Sequence, residues 1–283
     1  MKNKIPFIKM HGCGNDYVFF DCFENELQNP SEISVKFSDR HKGIGSDGLV
    51  MILPSSVADA KMRMFNADGS EAGMCGNAIR CVGKYLYESG RAKKENMQIE
   101  TLSGIKLLEI FVQNNEVNSV RVDMGKAELN PEKIPVTLKG DNIIGRQVTI
   151  DGQRYEITCV SMGNPHAVYF YDDIEHFDLH EIGSKIENAD IFPSRINFEI
   201  AQMELDCRNT IAMRVWERGS GETMACGTGA CAVGVAAVLM GYCDKDTDIT
   251  VRLRGGELTI KYTDEAVYMT GGCEKVFEGE ITI

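Results

Sequence analysis

One cysteine-centred segment occurs twice in this chain, and the duplication limits the folds that the chain can adopt. The copies read DGSEAGMCGNAIRC around Cys75 and SGETMACGTGACA around Cys226, and 151 positions separate the two cysteines. Three further pairs match at the same displacement: Arg63 with Arg214, Phe65 with Trp216 and Glu71 with Glu222. Self-similarity at a long period indicates repeated structural units, and two copies are too few for a solenoid. The duplication therefore predicts two similar domains that face each other, with one cysteine opposite the other across a cleft.

Length and charge agree with two domains and exclude several classes of partner. A chain of 283 residues has room for two domains of about 150 residues each. Hydrophobic residues make up 43% of the chain, which is enough for a core in each domain. The net charge is −12, and the sequence contains no run of lysine and arginine. Because such a surface does not attract a phosphate backbone or an anionic membrane, we expect neither nucleic acid nor a membrane as a partner.

The N-terminal sequence and the cysteines predict a cytoplasmic protein without a metal. The segment MKNKIPFIKMHG lacks the apolar core of a signal peptide. The longest apolar stretch, around 230–240, is too short to span a bilayer. The ten cysteines are predicted to be free rather than paired in a disulfide framework. Cys75 with Cys81, and Cys226 with Cys231, lack the second close pair that would complete a zinc site.

Alternating and β-branched segments predict that most of each half is β-sheet. The clearest strand patterns are IPFIKMH, DYVFFDCF, DGLVMIL, KMRMFN and NSVRVDMG in the first half, and RYEITCVSMG, HAVYFYDD, TIAMRVWERG, DITVRLRGG, ELTIKYT and AVYMTGG in the second. One helix follows each motif cysteine, over about 77–88 and about 228–240, and weaker helical patterns cover 31–40 and 179–188. The helix after Cys226 is apolar on every face and must be enclosed by other elements.

These patterns predict an α/β (α+β) fold of two pseudo-symmetric domains, each a barrel-like, mostly antiparallel sheet around a central helix. The polar, proline-containing stretch 126–140 predicts the boundary between them. We assign 1–125 together with 271–283 to an N-terminal domain that carries Cys75. Residues 126–270 form the C-terminal domain, which carries Cys226. The sequence by itself does not decide whether the last strands return to the first domain.

Cys75 and Cys226 each precede a glycine turn and the first turn of a predicted helix. N–H groups in a first turn have no partner within the helix and carry the positive end of its dipole. We expect them to lower the pKa of each thiol and to hold a substrate carboxylate. Removing an α-proton pushes negative charge into that carboxylate, so aligned amides would stabilise the transition state and replace part of the role of a pyridoxal cofactor. Two opposed thiols suit a reaction that takes a proton from one face of a carbon and returns one to the other face.

Other polar residues have an ordinary structural explanation as well as a functional one. Four asparagines follow or end strand-like runs, where turn chemistry is the usual role of this residue: Asn15, Asn66, Asn164 and Asn197. Glu217 and Arg218 would be a solvated pair, and His166 a core or turn histidine. Buried structural roles are predicted for the remaining eight cysteines, Cys13, Cys22, Cys81, Cys159, Cys207, Cys231, Cys243 and Cys273, because free cysteine is among the most buried residue types.

Six segments, in order along nearly the whole chain, resemble those of the diaminopimelate epimerases. They are MHGCGNDYV, FNADGSEAGMCGNAIRC, SMGNPHAV, RINFEIAQ, VWERGSGETMACGTGACA and VYMTGG. Members of this family are pyridoxal-independent isomerases of lysine and peptidoglycan precursor synthesis. They interconvert LL- and meso-2,6-diaminopimelate, need no cofactor, and have two similar α/β domains, each a barrel-like sheet around a central helix. The resemblance implies the same fold and activity here, with diaminopimelate as substrate and a homodimer as the working form.

The resemblance also implies roles for individual residues. Cys75 and Cys226 would be the two acid/base thiols, and His166 and Glu217 would support them. The backbone amides of Gly76, Asn77, Gly227 and Thr228 would hold the reacting carboxylate, and Asn66 and Glu217 would bind the reacting α-ammonium. Arg218, Asn164 and Asn197, assisted by Asn66, would fix the distal carboxylate, while Asn15 would help to recognise the distal end. Tyr268 matches a position at the dimer interface.

One position departs from the family pattern. Many members have glutamine after the aspartate of the GIGxD segment, where its side chain contacts the distal end of the substrate. Here GIGSDGLV places Gly48 at that position. We therefore expect a missing side-chain hydrogen bond and relaxed selectivity at the distal end.

Two alternatives stay open at this point. One is a related cofactor-independent racemase of proline, hydroxyproline or histidine with the same architecture. The implied set Asn164, Asn197 and Arg218 favours a dicarboxylate over these substrates, because a guanidinium binds a carboxylate with two hydrogen bonds. The other alternative is a non-catalytic amino-acid-binding or thiol-redox protein, which would not explain two cysteines at duplicated helix starts.

Overall fold

The computed structural model describes residues 4–204, 207 and 209–282. The chain divides into two compact units, Met1–Asp123 with Thr270–Ile283 and Met124–Met269. Four α-helices lie within the described part of the chain: α1 Pro30–Ser38 and α2 Gly76–Glu88 in unit 1, and α3 Leu179–Glu187 and α4 Gly227–Leu239 in unit 2. These helices agree with the four sequence patterns to within about two residues, the usual uncertainty of a helix end.

Unit 1 is a mostly antiparallel sheet wrapped around α2. Its strands are β1 Lys4–Gly12, β2 Asn15–Asp21, β3 Gly48–Leu53, β4 Ala60–Asn66, β5 Glu71–Ala72, β6 Asn96–Thr101, β7 Gly104–Gln113, β8 Glu116–Asp123 and β18 Glu274–Thr282. The order across the sheet is β18, β1, β2, β3, β4, β6, β7, β8, and only the pairs β2/β3 and β4/β6 are parallel. Because α2 packs against β1 and β2 as well as β7 and β8, the sheet must curve around the helix. Helix α1 packs on β3 and β4, where Ile33 joins a cluster with Leu49 and Phe65.

Unit 2 repeats this arrangement. Its strands are β9 Arg146–Ile150, β10 Gln153–Ser161, β11 Pro165–Phe170, β12 Asn197–Met203, β13 Thr210–Glu217, β14 Gly221–Thr223, β15 Asp248–Leu253 and β16 Gly256–Tyr262, while β17 Val267–Gly271 crosses the boundary between the units. Helix α4 packs against β10, β11, β12, β15 and β16, and its residues are apolar and buried around its circumference. Each fully buried valine or isoleucine side chain contributes roughly 1.5–3 kcal/mol, so the apolar composition of α4 fixes it inside the sheet.

The two units correspond element by element. Strands β1 to β7 with α1 and α2 match β10 to β16 with α3 and α4 in order, and each matching pair of strands has the same direction. The predicted fold class, two pseudo-symmetric domains of sheet around a central helix, is confirmed. Seven strands lay outside the strand patterns of the sequence: β5, β6, β7, β9, β12, β14 and β18. The last of them, at the C-terminus, pairs with β1 and completes unit 1.

Candidate active site

In each unit one edge of the sheet collects the residues that the sequence predicts to be functional. In unit 1 this edge contains the start of β2 at Asn15, the start of β3 at Gly48, the end of β4 at Asn66 and the N-cap of α2 at Cys75. The parallel strands β2 and β3 both start at this edge, and β4, which is antiparallel to β3, ends there. The topology therefore gathers at one edge residues that are up to 60 positions apart, and Cys75 Sγ lies 3.4 Å from Asn15 Oδ1.

Unit 2 forms the same edge from its own elements. Asn164 directly precedes β11, Asn197 begins β12, Glu217 ends β13 and Cys226 is the N-cap of α4. Both motif cysteines have extended backbone, with φ −130° at Cys75 and φ −122° at Cys226, as an N-cap residue requires. The carbonyl of each accepts the first hydrogen bond of its helix, from Ile79 N and Ala230 N.

The sulfur of Cys75 has polar partners of opposite kinds. Its thiol donates to Asn15 Oδ1 at 3.4 Å, and Tyr17 Oη donates to Cys75 Sγ at 3.7 Å. Burial raises the pKa of the Cys75 thiol, while the N–H of Ala78, the hydroxyl of Tyr17 and the N–H of Asn77 each lower it in part. The side chain of Cys75 is half-buried.

Two charged residues fix the orientation of the amides beside Cys75. Asn15 Nδ2 donates to Asp47 Oδ2 at 2.7 Å, and a carboxylate only accepts, so Asn15 Oδ1 has to face Cys75. On the other side Arg80 donates to Asn77 Oδ1 at 3.0 Å, which turns Asn77 Nδ2 toward Asn15 Oδ1 at 3.1 Å. Because a guanidinium only donates and a carboxylate only accepts, the whole chain of amides has one consistent assignment.

The sulfur of Cys226 lies in a more negative environment. Gly229 N donates to Cys226 Sγ at 3.4 Å, and Thr228 Oγ1 lies 3.4 Å from the same atom. Burial raises the pKa of Cys226 well above its ordinary value, and the carboxylates of Glu217 and Glu199 raise it further. Gly229 lets Glu199 approach, since a Cβ at this position would lie 2.7 Å from Glu199 Oε1.

Glu217 and His166 are the other acid/base groups at this edge. Burial raises the pKa of Glu217, its hydrogen bond from Thr223 lowers it in part, and the charge of Glu199 raises it. His166 is fully buried, with Nδ1 2.7 Å from Glu199 Oε1 and Nε2 3.1 Å from Asn164 Oδ1. The second oxygen of Glu199 is buried and has no hydrogen-bond partner among the described residues.

The residues implied to bind the distal carboxylate are adjacent in unit 2. Arg218 N donates to Asn197 Oδ1 at 2.9 Å, and Asn197 Nδ2 donates to Pro165 O at 2.8 Å. The guanidinium of Arg218 donates to Ser194 O at 2.9 Å, and this side chain is exposed. His166 and Asn197 are paired residues of the parallel strands β11 and β12. The three implied ligands, Asn164, Asn197 and Arg218, therefore lie at the same end of the sheet, at the starts of β11 and β12 and the end of β13. Asn66, by contrast, donates to Ser70 Oγ at 2.9 Å in its own turn.

Two expectations from the sequence are wrong. The helix N-termini do not bring the pKa of either thiol below its ordinary value, because loss of solvation on burial outweighs the backbone N–H groups. Cys207 is exposed rather than buried, while the other seven cysteines outside the motif position are buried as expected.

Four residues at the two edges were not predicted from the sequence: Tyr17, Asp47, Arg80 and Glu199. One signal was present for Tyr17. The pairs Gly14-Asn15 and Gly163-Asn164 match at a second displacement of 149 positions, which also relates Tyr17 to His166. Asp47 and Arg80 act through the asparagines, and Glu199 acts through His166. The contacts of Tyr17, Asp47 and Glu199 depend on the packing of segments distant in the chain, for which the sequence carries no local signal, whereas Arg80 and Asn77 are three residues apart on α2.

Comparison with known proteins settles the family. The family model described as diaminopimelate epimerase matches residues 7–130 and 158–276. The chain belongs to the diaminopimelate epimerase family. The diaminopimelate epimerase of Acetivibrio thermocellus is 54% identical over 279 residues, which cover 98% of each chain. That of Methanococcus maripaludis strain S2 is 53% identical over 281 residues, 99% of this chain and 100% of the relative. Membership of this family makes the chain an isomerase.

Solved structures of lower identity share the fold. A hydroxyproline epimerase from Agrobacterium vitis with bound trans-4-hydroxy-L-proline has a TM-score of 0.72 at 14% identity, over 100% of this chain and 94% of that one. A phenazine biosynthesis protein of the PhzF family from Bacillus anthracis has a TM-score of 0.70 at 19% identity, over 99% and 100%. At such low identities, these two structures show that the chain shares their fold, and they say nothing about its substrate.

The described part of the chain contains neither a metal-binding cluster nor a membrane-spanning helix. Within 4–204, 207 and 209–282, no group of three or more histidine, cysteine, aspartate or glutamate side chains is arranged to hold a metal ion. None of the helices in that part of the chain has the length and apolar character needed to cross a membrane.

Proposed function

We propose that this protein interconverts LL- and meso-2,6-diaminopimelate by removing the α-proton from one face of the carbon and adding a different proton to the other face, with Cys75 and Cys226 as the two acid/base groups and without a cofactor. The observation that carries the proposal is the duplicated cysteine at the N-cap of a buried central helix, once in each unit. Membership of the diaminopimelate epimerase family supports the choice of substrate.

The proposed step moves one proton on and one proton off the α-carbon. A thiolate takes the α-proton from one face and becomes a thiol, while the thiol of the other cysteine gives its proton to the opposite face and becomes a thiolate. The carbanion between these transfers places negative charge on the substrate carboxylate. The backbone amides of Gly76, Asn77, Gly227 and Thr228 would stabilise that charge, because the first N–H groups of a helix have no acceptor within it.

Separate polar groups would bind the rest of the substrate. We assign the reacting α-ammonium to Asn66 and Glu217, and the distal carboxylate to Arg218, Asn164 and Asn197 with help from Asn66. The adjacency of the last three in unit 2 supports the assignment. Asn15 would contribute to the distal end, although its Oδ1 is also the acceptor for Cys75. His166 and Glu217 would support Cys226. Burial is the largest cause of the raised pKa of Cys226, and the carboxylate of Glu217 is the second.

Isotope incorporation from heavy water tests the two-base step. When LL-diaminopimelate is converted in D₂O, product formed early should carry solvent deuterium at the α-carbon, while recovered substrate should carry little. This asymmetry arises because the proton returned to carbon comes from a second group that has exchanged with solvent. Equal deuterium in substrate and product at the earliest times would indicate one exchanging base and would contradict the proposal.

A substrate panel tests the choice of diaminopimelate. We expect turnover of LL-diaminopimelate and none of proline, 4-hydroxyproline or histidine at equal concentration, because these three lack the distal carboxylate. An analogue of diaminopimelate without the distal amine should retain partial activity, since Gly48 offers no side chain at that end. Turnover of proline or hydroxyproline alone would move the protein to the related racemases.

We also propose that the working form is a cytoplasmic homodimer in which Tyr268 lies at the interface. Tyr268 is half-buried on β17. The structure records no disulfide among the described residues, which supports a reducing compartment.

A further inference from the structure

We propose that Tyr17 is a further catalytic residue, whose phenol donates a hydrogen bond to the thiolate of Cys75 and so favours the basic form of this thiol. The inference rests on the proposed function, in which Cys75 is one of the two bases. The contact joins Tyr17 Oη to Cys75 Sγ at 3.7 Å, within the range of hydrogen bonds to sulfur. No residue at this position was among those assigned to the site from the sequence.

Packing fixes the position of the phenol. Tyr17 lies near the start of β2 and is only 5% exposed, and its ring meets Phe19 edge-on with 6.4 Å between centroids. In the neighbouring strand, Gly48 is paired with Tyr17. A Cβ at Gly48 would lie 3.1 Å from Tyr17 Cε1 and 2.1 Å from Phe65 O. The glycine at position 48 therefore leaves the tyrosine ring the space that it occupies.

The two protonation states of Cys75 use different partners. As a thiol, Cys75 donates to Asn15 Oδ1, which Asp47 and Asn77 hold in place from the other side. As a thiolate it has no proton to donate, and the hydroxyl of Tyr17 supplies one hydrogen bond to the new charge. A hydrogen bond to an ionised group is roughly twice as strong as one between neutral groups.

No proton leaves Tyr17 in this scheme. When Cys75 takes the α-proton of the substrate, its sulfur changes from acceptor to donor and the Tyr17 O–H bond stays intact. The phenol is suited to this role because burial raises the pKa of Tyr17 well above its ordinary value, and the negative charge of Cys75 raises it further. The buried phenol therefore holds its proton more tightly than an ordinary tyrosine does.

Among the described residues of the other unit, the residue that corresponds to Tyr17 makes no hydrogen bond to the motif cysteine. The displacement that relates Asn15 to Asn164 places His166 at the position of Tyr17, and His166 interacts with Glu199 and Asn164 instead. Cys226 receives its hydrogen bonds from its own helix turn and has two carboxylates nearby. Each sulfur therefore has a hydroxyl within hydrogen-bond range, Tyr17 at Cys75 and Thr228 at Cys226, but only Cys226 also has two carboxylates that disfavour its thiolate.

The test is the pH dependence of alkylation of Cys75 in the variant Tyr17→Phe. This change removes one hydroxyl and keeps the ring. Iodoacetamide reacts with the thiolate, and peptide mass spectrometry follows Cys75, Cys226 and the exposed Cys207 in the same sample. In Tyr17→Phe we expect the alkylation rate of Cys75 near pH 7.5 to fall about 10-fold and its pH profile to move to higher pH. This is the size of effect expected when one charge-assisted hydrogen bond to the thiolate is lost. The profile of Cys207 should not change.

Tyr85→Phe is the matched control. Tyr85 lies on α2 in the same unit, and its hydroxyl binds Asp21 rather than Cys75. We expect this variant to keep the wild-type profile at Cys75, and kcat on diaminopimelate to fall in Tyr17→Phe with little change in KM. Identical Cys75 profiles in the wild type and Tyr17→Phe would overturn the inference, as would an equal shift in Tyr85→Phe.

Alkylation of Cys75 tests the hydrogen bond from Tyr17, and turnover of diaminopimelate tests the proposed function, so the two proposals can be contradicted separately. A shifted Cys75 profile in a protein that does not epimerise diaminopimelate would overturn the proposed function and leave the hydrogen bond established. An active wild type with an unshifted profile would overturn only the role of Tyr17.

Discussion

Burial raises the pKa of each thiol, and the hydrogen bonds that its sulfur accepts lower it. At Cys75 the opposing groups are neutral donors, whereas at Cys226 two carboxylates add to the effect of burial. Because the carboxylates of Glu217 and Glu199 disfavour the thiolate of Cys226, Cys226 should stay protonated when Cys75 has lost its proton. One thiolate and one thiol together are what the proposed reaction needs.

The first prediction concerns pH. The reaction requires a thiolate, and the pKa of Cys75 lies above the ordinary value for cysteine. Below that pKa the thiolate fraction rises tenfold per pH unit, so kcat/KM for LL-diaminopimelate should rise with unit slope through neutrality into the alkaline range. Initial rates from pH 6 to 10 measure this. A plateau already reached at pH 6 would show that the free thiol is more acidic than its burial implies.

The second prediction concerns the cysteines themselves. Cys75→Ala and Cys226→Ala should each remove epimerisation, by at least about 10³-fold, and the double variant should be no worse because the thiols act as a unit. Cys231→Ala, on the same helix as Cys226 and fully buried, should keep activity and lose roughly 1–3 kcal/mol of stability. Rates and urea unfolding separate the two effects. Loss of activity in folded Cys231→Ala would mean that the wrong thiol is assigned.

At the scale of elements, α2 and its neighbouring strands position the residues around Cys75. Arg80, fully buried in this helix, donates to Gly76 O at 3.1 Å and to Asn77 Oδ1 at 3.0 Å. Asp47, just before β3, binds the amide of Asn15. The orientation of the groups that touch the sulfur is therefore set by charges outside the reacting centre.

The third prediction tests Arg80 as a positioning residue. Arg80→Lys keeps the charge but loses the planar fork that reaches both acceptors. We expect a loss of roughly 1–3 kcal/mol of stability and a lower kcat, with the alkylation profile of Cys75 altered because Asn77 and Asn15 lose their fixed orientation. The control is Arg252→Lys, at an exposed residue of β15 bound to Glu204 and Glu257. It should change none of these three quantities. A destabilised Arg80→Lys with normal kcat and profile would limit Arg80 to a structural role.

At the scale of the whole molecule, the duplication gives two units with the same order and direction of elements but different polar groups at the edge. Asn66 in unit 1 stands where unit 2 has Glu217, and Tyr17 stands where it has His166. The shared fold preserves the thiol at the helix start, while the differing neighbours allow one thiol to be the stronger acid.

The fourth prediction concerns assembly. If Tyr268 lies at a homodimer interface, light scattering should give the mass of a dimer for the wild type and of a monomer for Tyr268→Ala at micromolar concentration, because buried aromatic residues often dominate interface energies. Tyr242→Ala, an exposed tyrosine, serves as control and should stay dimeric. A monomeric wild type would remove the basis for the assignment.

Local patterns in the sequence were sufficient for the helices, the repeat and the fold class. The apolar circumference of α4 required an enclosing sheet, and both motif cysteines are N-caps as the glycine turns indicated. Family membership also followed from short segments, since they contain the glycines and cysteines that this fold needs at its helix starts. These features depend on residues close together in the chain, where periodicity and turn chemistry act.

Other features depended on contacts between distant segments. Strand β18 is almost entirely exposed and shows no alternation, so only its pairing with β1 identifies it. Strand β12 contains Glu199, which is tolerated in a buried strand because it pairs with His166 33 positions away. The direction of both thiol pKa shifts likewise required the folded chain. Helix position predicts a lower pKa, but solvation is lost only when distant strands close over the sulfur, and that burial decides the sign.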